Sequence, residues 1–200
     1  MNRAVLTCLI LCIGIGLGLL LATVYPNPER YEFIEWLDKP RAIRTFSLDA
    51  KTAEFNNGSL NGHWTIVLFG FLSCPDVCPT SLSQLAEISR NLANKKLDMN
   101  VNFVFLSVDP ARDSVAALSK YVGYFDSDIL GVTGSTKQLA SFAADLGIQF
   151  RIKQNNDDYS VSHSTTFSII DPRGLFCGRF RHDFITSELT DNLYSKLSEH

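Results

Sequence analysis

A run of nine mostly apolar residues, Trp64 to Leu72, constrains the fold of this chain more than any other feature. It is rich in β-branched and aromatic residues, which favour a strand. Because polar residues do not alternate with apolar ones, both faces of this strand are expected to be buried. The run therefore predicts a central strand of a parallel or mixed sheet.

Helical and strand patterns alternate in the residues that follow. Apolar residues recur at three- and four-residue steps from Leu82 to Leu92, which predicts a helix with one buried face. Four elements are predicted next: a buried strand over 101–108, a helix from Asp113 or Ser114 to about Phe125, a strand over 129–132, and a helix capped by Ser135 and ended by Gly147. A hairpin of 164–170 and 175–180 and a helix over 187–197 follow. This order is typical of a thioredoxin-like (peroxiredoxin-like) α/β fold, a central mixed sheet flanked by helices.

A stretch without charged residues, from Ala4 to Tyr25, precedes these elements. Its length is enough to cross a hydrocarbon core of roughly 30 Å as one helix, and no small-residue cleavage site follows it. We therefore expect a membrane anchor in residues 1–27, a linker in 28–40 and a single domain in 41–200. A cleaved signal peptide is the alternative for the first segment.

The charges around this stretch indicate a location. Arg3 precedes it, whereas Glu29, Arg30 and Glu32 follow it, so the positive-inside rule places the domain across the membrane. Because an Arg- and Ser-rich presequence is missing, we expect a single-pass bacterial inner-membrane protein that faces the periplasm. The mitochondrial inner membrane, with the domain in the intermembrane space, is the alternative. A formal net charge of −3 argues against nucleic acid as a partner.

Two cysteines follow the central strand directly, in the segment Ser73-Cys74-Pro75-Asp76-Val77-Cys78-Pro79-Thr80. Residues four apart on a helical turn have Cβ atoms about 5–6 Å apart, which is near the spacing that a disulfide or a shared metal ion needs. Pro79 suits the first position of a helix, and Cys78 at that helix N-terminus is expected to be a thiolate. The three-residue spacer leaves more room for an ion than the Cys-x-x-Cys pair of oxidoreductases.

His163 is expected at the start of the predicted hairpin, which a thioredoxin-like layout brings beside the cysteine loop. Two thiolates and an imidazole favour copper, because thiolates select Cu(I) and imidazole also suits copper. Structural zinc needs a fourth ligand, for which the sequence offers no convincing candidate. The candidate metal ligands are thus Cys74, Cys78 and His163. The expected ion is Cu(I), with Cu(II) as a second oxidation state of the bound copper. A structural histidine and a metal-free redox pair of cysteines are the alternatives.

Four segments together form a specific pattern: Phe69-Gly70-Phe71-x-x-Cys74-Pro75-Asp76-Val77-Cys78-Pro79, then Val108-Asp109-Pro110-Ala111-Arg112-Asp113, Val161-x-His163 and Ile170-Asp171-Pro172-x-Gly174. The pattern resembles the SCO/SenC family of copper-handling proteins, from about Phe46 to the C-terminus. The resemblance implies a thioredoxin-like domain anchored by one N-terminal helix, and copper ligands at Cys74, Cys78 and His163.

The resemblance also implies a function. It is that of a copper chaperone, which binds and transfers copper without catalytic turnover, and which delivers it to the dinuclear copper site of cytochrome c oxidase during assembly. The implied partners are the copper-site subunit of the oxidase and other copper chaperones. A thiol–disulfide oxidoreductase that reduces the cysteines of such a partner through Cys74 and Cys78 is the alternative. A peroxidase is a third hypothesis, but Pro75 stands where peroxiredoxins need a threonine.

Three features depart from the family pattern or lie beside it. Ser162 stands where members often carry an acidic residue before the histidine. Cys177 lies outside the pattern and is expected to be buried, with an exposed thiol that mispairs as the alternative. The residues Asp109, Arg112 and Asp113 are expected to form a turn and a helix cap, or else an outer layer of the metal site or a docking patch for a partner.

Overall fold

The computed structural model describes residues 12–15, 33–95, 100–155 and 158–198. Residues 12–15 are helical, and none of the helices in these ranges has the length and apolarity that crossing a membrane requires. The chain divides into two units after Glu32. The predicted anchor in residues 1–27 lies, apart from 12–15, outside the described residues and stays a prediction.

The second unit, which begins at Phe33, alternates strands and helices. In chain order its described elements are β1 (Ile34–Ala42), β2 (Ser47–Ala50), β3 (Phe55–Asn56), α1 (Asn57–Leu60), β4 (Trp64–Gly70), α2 (Val77–Asn94), β5 (Val101–Ser107), α3 (Val115–Val122), β6 (Ile129–Thr133), α4 (Thr136–Asp145), β7 (Phe150–Asn155), β8 (Asp158–His163), β9 (Thr166–Ile170), β10 (Leu175–Arg181) and α5 (Thr186–Leu197).

Within the described residues, a mixed sheet of eight strands runs in the order β1-β10-β9-β4-β5-β6-β2-β3. The three strands β4, β5 and β6 are parallel, and the flanking pairs are antiparallel. All seven residues of β4 are buried. The predicted central strand and the mixed sheet are therefore confirmed.

Helices cover both faces of this sheet. On one face, Leu82, Leu85 and Ile88 of α2 are fully buried against the sheet, together with apolar residues of α3 and α5. On the other face, Leu139 and Phe142 of α4 join the second apolar cluster. The side chains of β4 alternate between the two clusters, because successive residues of a strand point to opposite faces. The α/β class predicted from the sequence is thus confirmed.

The predicted helix caps and turns agree closely with the structure. The Ser114 and Ser135 hydroxyls each accept a hydrogen bond from the backbone N–H three residues later. Gly147 and Gly174 adopt positive φ angles of 69° and 77°, where glycine has no steric penalty. These local signals fix the starts of α3 and α4 and the turn between β9 and β10.

Six of the described elements were not expected (β1, β2, β3, α1, β7 and β8), and two features among them differ most from the predicted organisation. β1 includes the last residues of the predicted linker and pairs with β10. Its register shifts between Trp36 and Arg41, so Pro40 falls in an irregularity where its missing N–H interrupts no ladder. The second feature is the hairpin of β7 and β8, a separate two-stranded sheet. His163 ends β8, so the expectation that it enters the strand of 164–170 was wrong.

Candidate metal site

The cysteine segment leaves the carboxyl end of β4, where Gly70 makes room for it. A Cβ atom at Gly70 would lie 2.5 Å from the ring of Phe105 and 3.2 Å from Sγ of Cys78. The first of these distances is shorter than any real contact, so the position requires glycine. The Cys78 sulfur consequently packs directly against the backbone of the central strand.

The two cysteines are free thiols joined by one backbone contact. The helix α2 begins at Val77, and the N–H of Cys78 donates to Sγ of Cys74 at 3.4 Å. Asp76, which precedes the helix, gives no side-chain cap, so the Cys74 sulfur accepts one of the N–H groups that a helix N-terminus leaves free. Cys74 is half-buried, whereas Cys78 is only 2% exposed.

Burial changes the protonation of Cys78. It raises the pKa of the Cys78 thiol to about 12, with a further contribution from the hydrogen bond to Cys74. The thiolate expected at this helix N-terminus was therefore wrong, because desolvation outweighs the attraction of the helix dipole. Cys78 is a thiol in the metal-free protein, and it must release its proton when it binds an ion.

His163 faces the cysteines from the end of β8. Its Nε2 lies 3.5 Å from Sγ of Cys78, and its Nδ1 lies 2.9 Å from the carbonyl oxygen of Ser164. A carbonyl only accepts, so we assign the ring proton to Nδ1 and the lone pair to Nε2, on the side of the sulfur. Burial lowers the pKa of His163, which favours the neutral, ligating form. The ring of Phe71 packs edge-on against the imidazole.

The ligand atoms of Cys74, Cys78 and His163 all lie within 4.8 Å of one another. Atoms bound to one ion at about 2.0–2.3 Å lie roughly 3.5–4 Å apart, so an ion would draw these side chains together only slightly. In the part of the chain that the structure describes, no other three His, Cys, Asp or Glu side chains form such a group. Two sulfurs and one imidazole nitrogen are a soft donor set that suits copper.

The loop between β5 and α3 lies beside this site. The carboxylate of Asp113 accepts hydrogen bonds from the backbone N–H of Leu72 at 2.9 Å and from the hydroxyl of Ser107 at 2.6 Å. The loop also forms a turn, with the N–H of Asp113 donating to the carbonyl of Asp109. Both expectations for this segment are met in part, because it forms a turn and also contacts the cysteine segment.

Two other residues complete the comparison with the sequence. Cys177 is 6% exposed, and its thiol donates to the carbonyl of Ile169. The expectation of a buried cysteine is therefore confirmed, and burial raises the pKa of Cys177 to about 12. Tyr159 was missed: its hydroxyl donates to Asp109 from 50 residues away. The sequence feature that could have indicated Tyr159 was its position in the short segment of alternating apolar and polar residues before His163.

Comparisons with known proteins show which family the chain resembles. A family model described as SCO1/SenC matches residues 36–198. An SCO2-like protein of Rickettsia prowazekii is 33% identical over 187 residues, which cover 90% of each chain. The mitochondrial SCO2 homolog of Homo sapiens is 35% identical over 134 residues, 66% of this chain and 50% of that protein. The crystal structure of Arabidopsis thaliana ScoI with copper bound superposes with a TM-score of 0.70 at 31% identity, covering 78% of this chain and 98% of that one.

Proposed function

Because this chain belongs to the SCO1/SenC family, we propose that it is a copper chaperone that carries the ion on Cys74, Cys78 and His163. We propose further that it delivers this copper to the dinuclear copper site of cytochrome c oxidase during assembly. The observation that carries the proposal is the approach of three soft ligand atoms to within 4.8 Å of one another. The similar Arabidopsis protein, described with copper bound, supports copper as the ion.

The site is suited to carrying and releasing Cu(I). Cys78 holds the ion from the buried side, whereas Cys74 and the neutral imidazole of His163 are half-buried and remain accessible to a partner. A partner with its own thiolates would first replace the two half-buried ligands and then Cys78, the buried one. Each thiolate that leaves the ion takes up a proton, which for Cys78 is favoured by the raised pKa of its thiol.

A thiol–disulfide oxidoreductase is the second candidate, supported by the two free, adjacent thiols. In that reaction the pair gives two electrons and two protons to a disulfide of the partner, which becomes two thiols, while Cys74 and Cys78 form a disulfide. The imidazole of His163 takes no part in that exchange of bonds. The same oxidation would remove two copper ligands, so both activities can use one site.

We propose an inner-membrane location for this function, with the domain facing the periplasm or, alternatively, the mitochondrial intermembrane space. The support is the uncharged stretch from Ala4 to Tyr25 and the mitochondrial name of a relative. The copper-site subunit of the oxidase and other copper chaperones are the proposed partners.

Copper binding by single variants tests the ligand set. The reduced full chain is titrated with Cu(I) in competition with a coloured Cu(I) chelator, without oxygen. We expect one ion per chain, and strongly weakened binding in Cys74→Ala, Cys78→Ala and His163→Ala. His63→Ala and Cys177→Ala are the matched controls outside the site. Unchanged binding in His163→Ala, with disulfide-reducing activity retained, would favour the oxidoreductase instead.

A further inference from the structure

The hairpin that carries His163 is separate from the main sheet. Among the described strands, β7 and β8 pair only with each other, and Phe150 lies opposite His163. A single two-stranded hairpin is at best marginally stable in water. The position of His163 therefore depends on contacts between this hairpin and the rest of the domain.

Tyr159, on β8, makes a polar contact of this kind. Its hydroxyl donates a 2.5 Å hydrogen bond to Oδ1 of Asp109, a fully buried carboxylate. The guanidinium of Arg112 lies over the Tyr159 ring, 3.9 Å from the ring centroid. Its Nε also donates to Oδ2 of Asp109 at 2.6 Å. The three side chains close a ring of contacts, which we call the hairpin latch.

The latch is a strong contact because its acceptor is a buried charge. Hydrogen bonds to an ionised group are shorter and stronger than those between neutral groups. The hydrogen bond to Asp109 raises the pKa of Tyr159, so the hydroxyl remains a donor throughout the physiological range. Loss of this hydroxyl would leave Arg112 as the only side chain of the latch that still bonds to Asp109.

Tyr159 and His163 lie four residues apart on one strand, so they share a face of the hairpin. Val161 lies between them on that face and packs against the second apolar cluster. A strand held at 159 and at 161 has little freedom at 163. The latch therefore limits how far the imidazole can move away from the cysteines.

The loop that supplies the latch also holds the cysteine side of the site. Asp113, four residues after Asp109, accepts from the N–H of Leu72, two residues before Cys74. Ser107 links the carboxylate of Asp113 to the backbone of Asp109, because its hydroxyl donates to Asp113 and accepts from the N–H of Asp109. One short loop thus contacts both halves of the site.

From these contacts we propose that Tyr159 is a positioning residue, which acts through Asp109 and Arg112 to hold the His163 imidazole within bonding distance of an ion on Cys78. This inference rests on the proposed ligand set and adds to it the residues that fix the distance between its two halves.

The test combines copper binding with hydrogen exchange. Tyr159→Phe removes the donor but keeps the ring under Arg112, and Tyr124→Phe, whose side chain is 91% exposed, is the matched control. Each change is made in the wild-type chain and in His163→Ala. Cu(I) affinity is measured by chelator competition, amide exchange of residues 150–155 and 158–163 is measured in the metal-free proteins, and thermal unfolding confirms that each variant is folded.

We expect Tyr159→Phe to weaken Cu(I) binding roughly tenfold, the size typical of losing a hydrogen bond to a charged group. In His163→Ala the same change should have less than about a twofold effect, because the residue acts through the imidazole. Exchange should be faster in the hairpin and unchanged in β4 and β5.

The proposed role of Tyr159 would be overturned if Tyr159→Phe weakened Cu(I) binding equally in the wild-type chain and in His163→Ala. It would also be overturned if amide exchange in the hairpin stayed at the wild-type rate. These outcomes are distinct from failure of the proposed ligands. In that case His163→Ala alone would bind copper as tightly as the wild type.

Discussion

Raising the pH should strengthen Cu(I) binding, because the ion competes with a proton on Cys78. The pKa of this buried thiol is raised to about 12, so it is fully protonated between pH 6.5 and 8.5. Each proton released per bound ion changes the apparent affinity about tenfold per pH unit. Cys78 alone therefore predicts a gain of about a hundredfold over these two pH units.

The direct assay counts the protons released when Cu(I) is added to the reduced protein in weak buffer. Cys78→Ala should release one proton fewer per bound ion than the wild type. His163→Ala should release the same number as the wild type although it binds more weakly, because burial lowers the pKa of His163 and keeps the imidazole neutral. Equal proton release by Cys78→Ala and the wild type would refute the reasoning, since Cys78 would then already be a thiolate.

Three further changes test the packing around the site. Gly70→Ala should lower the free energy of unfolding by roughly 1–3 kcal/mol and weaken copper binding, because its Cβ would lie 2.5 Å from the Phe105 ring; urea unfolding and chelator competition measure both. Asp113→Ala should cost about 1–3 kcal/mol in urea unfolding, because the N–H of Leu72 loses its acceptor, and a value near zero would contradict this. The pKa of Cys177 is raised from 9.0 to about 12, so its stabilising effect is present below pH 9 and is lost as the pH rises towards 12. Between pH 8 and 10.5, Cys177→Ala should therefore lose about 2 kcal/mol less stability than the wild type, and equal losses would mean that the thiol is not desolvated.

The sequence predicts the parts of the fold that depend on local patterns. The apolar run of β4, the buried stripe of α2 and the caps at Ser114 and Ser135 are signals within a few residues, and each is found where it was expected. The sequence also predicts that Cys74 and Cys78 meet His163, but it does not predict that the imidazole lies at the end of β8.

The remaining features depend on packing that no local pattern contains. The protonation of Cys78 is set by the burial of its sulfur against Gly70. The effect of this burial on the thiol outweighs that of the helix dipole, which is the effect that the sequence indicates. The hairpin of β7 and β8 alternates apolar and polar residues only over the short segments Phe150 to Lys153 and Tyr159 to Ser162. The contact between Tyr159 and Asp109 joins residues from separate elements. In each case the decisive interaction is long-range.

The most direct test of the copper site is X-ray absorption at the copper edge of the reduced, Cu(I)-loaded full chain. We expect each copper ion to have two sulfur neighbours and one imidazole nitrogen, and we expect the nitrogen to be lost in His163→Ala. A spectrum with sulfur neighbours alone, unchanged by His163→Ala, would contradict the three-ligand site.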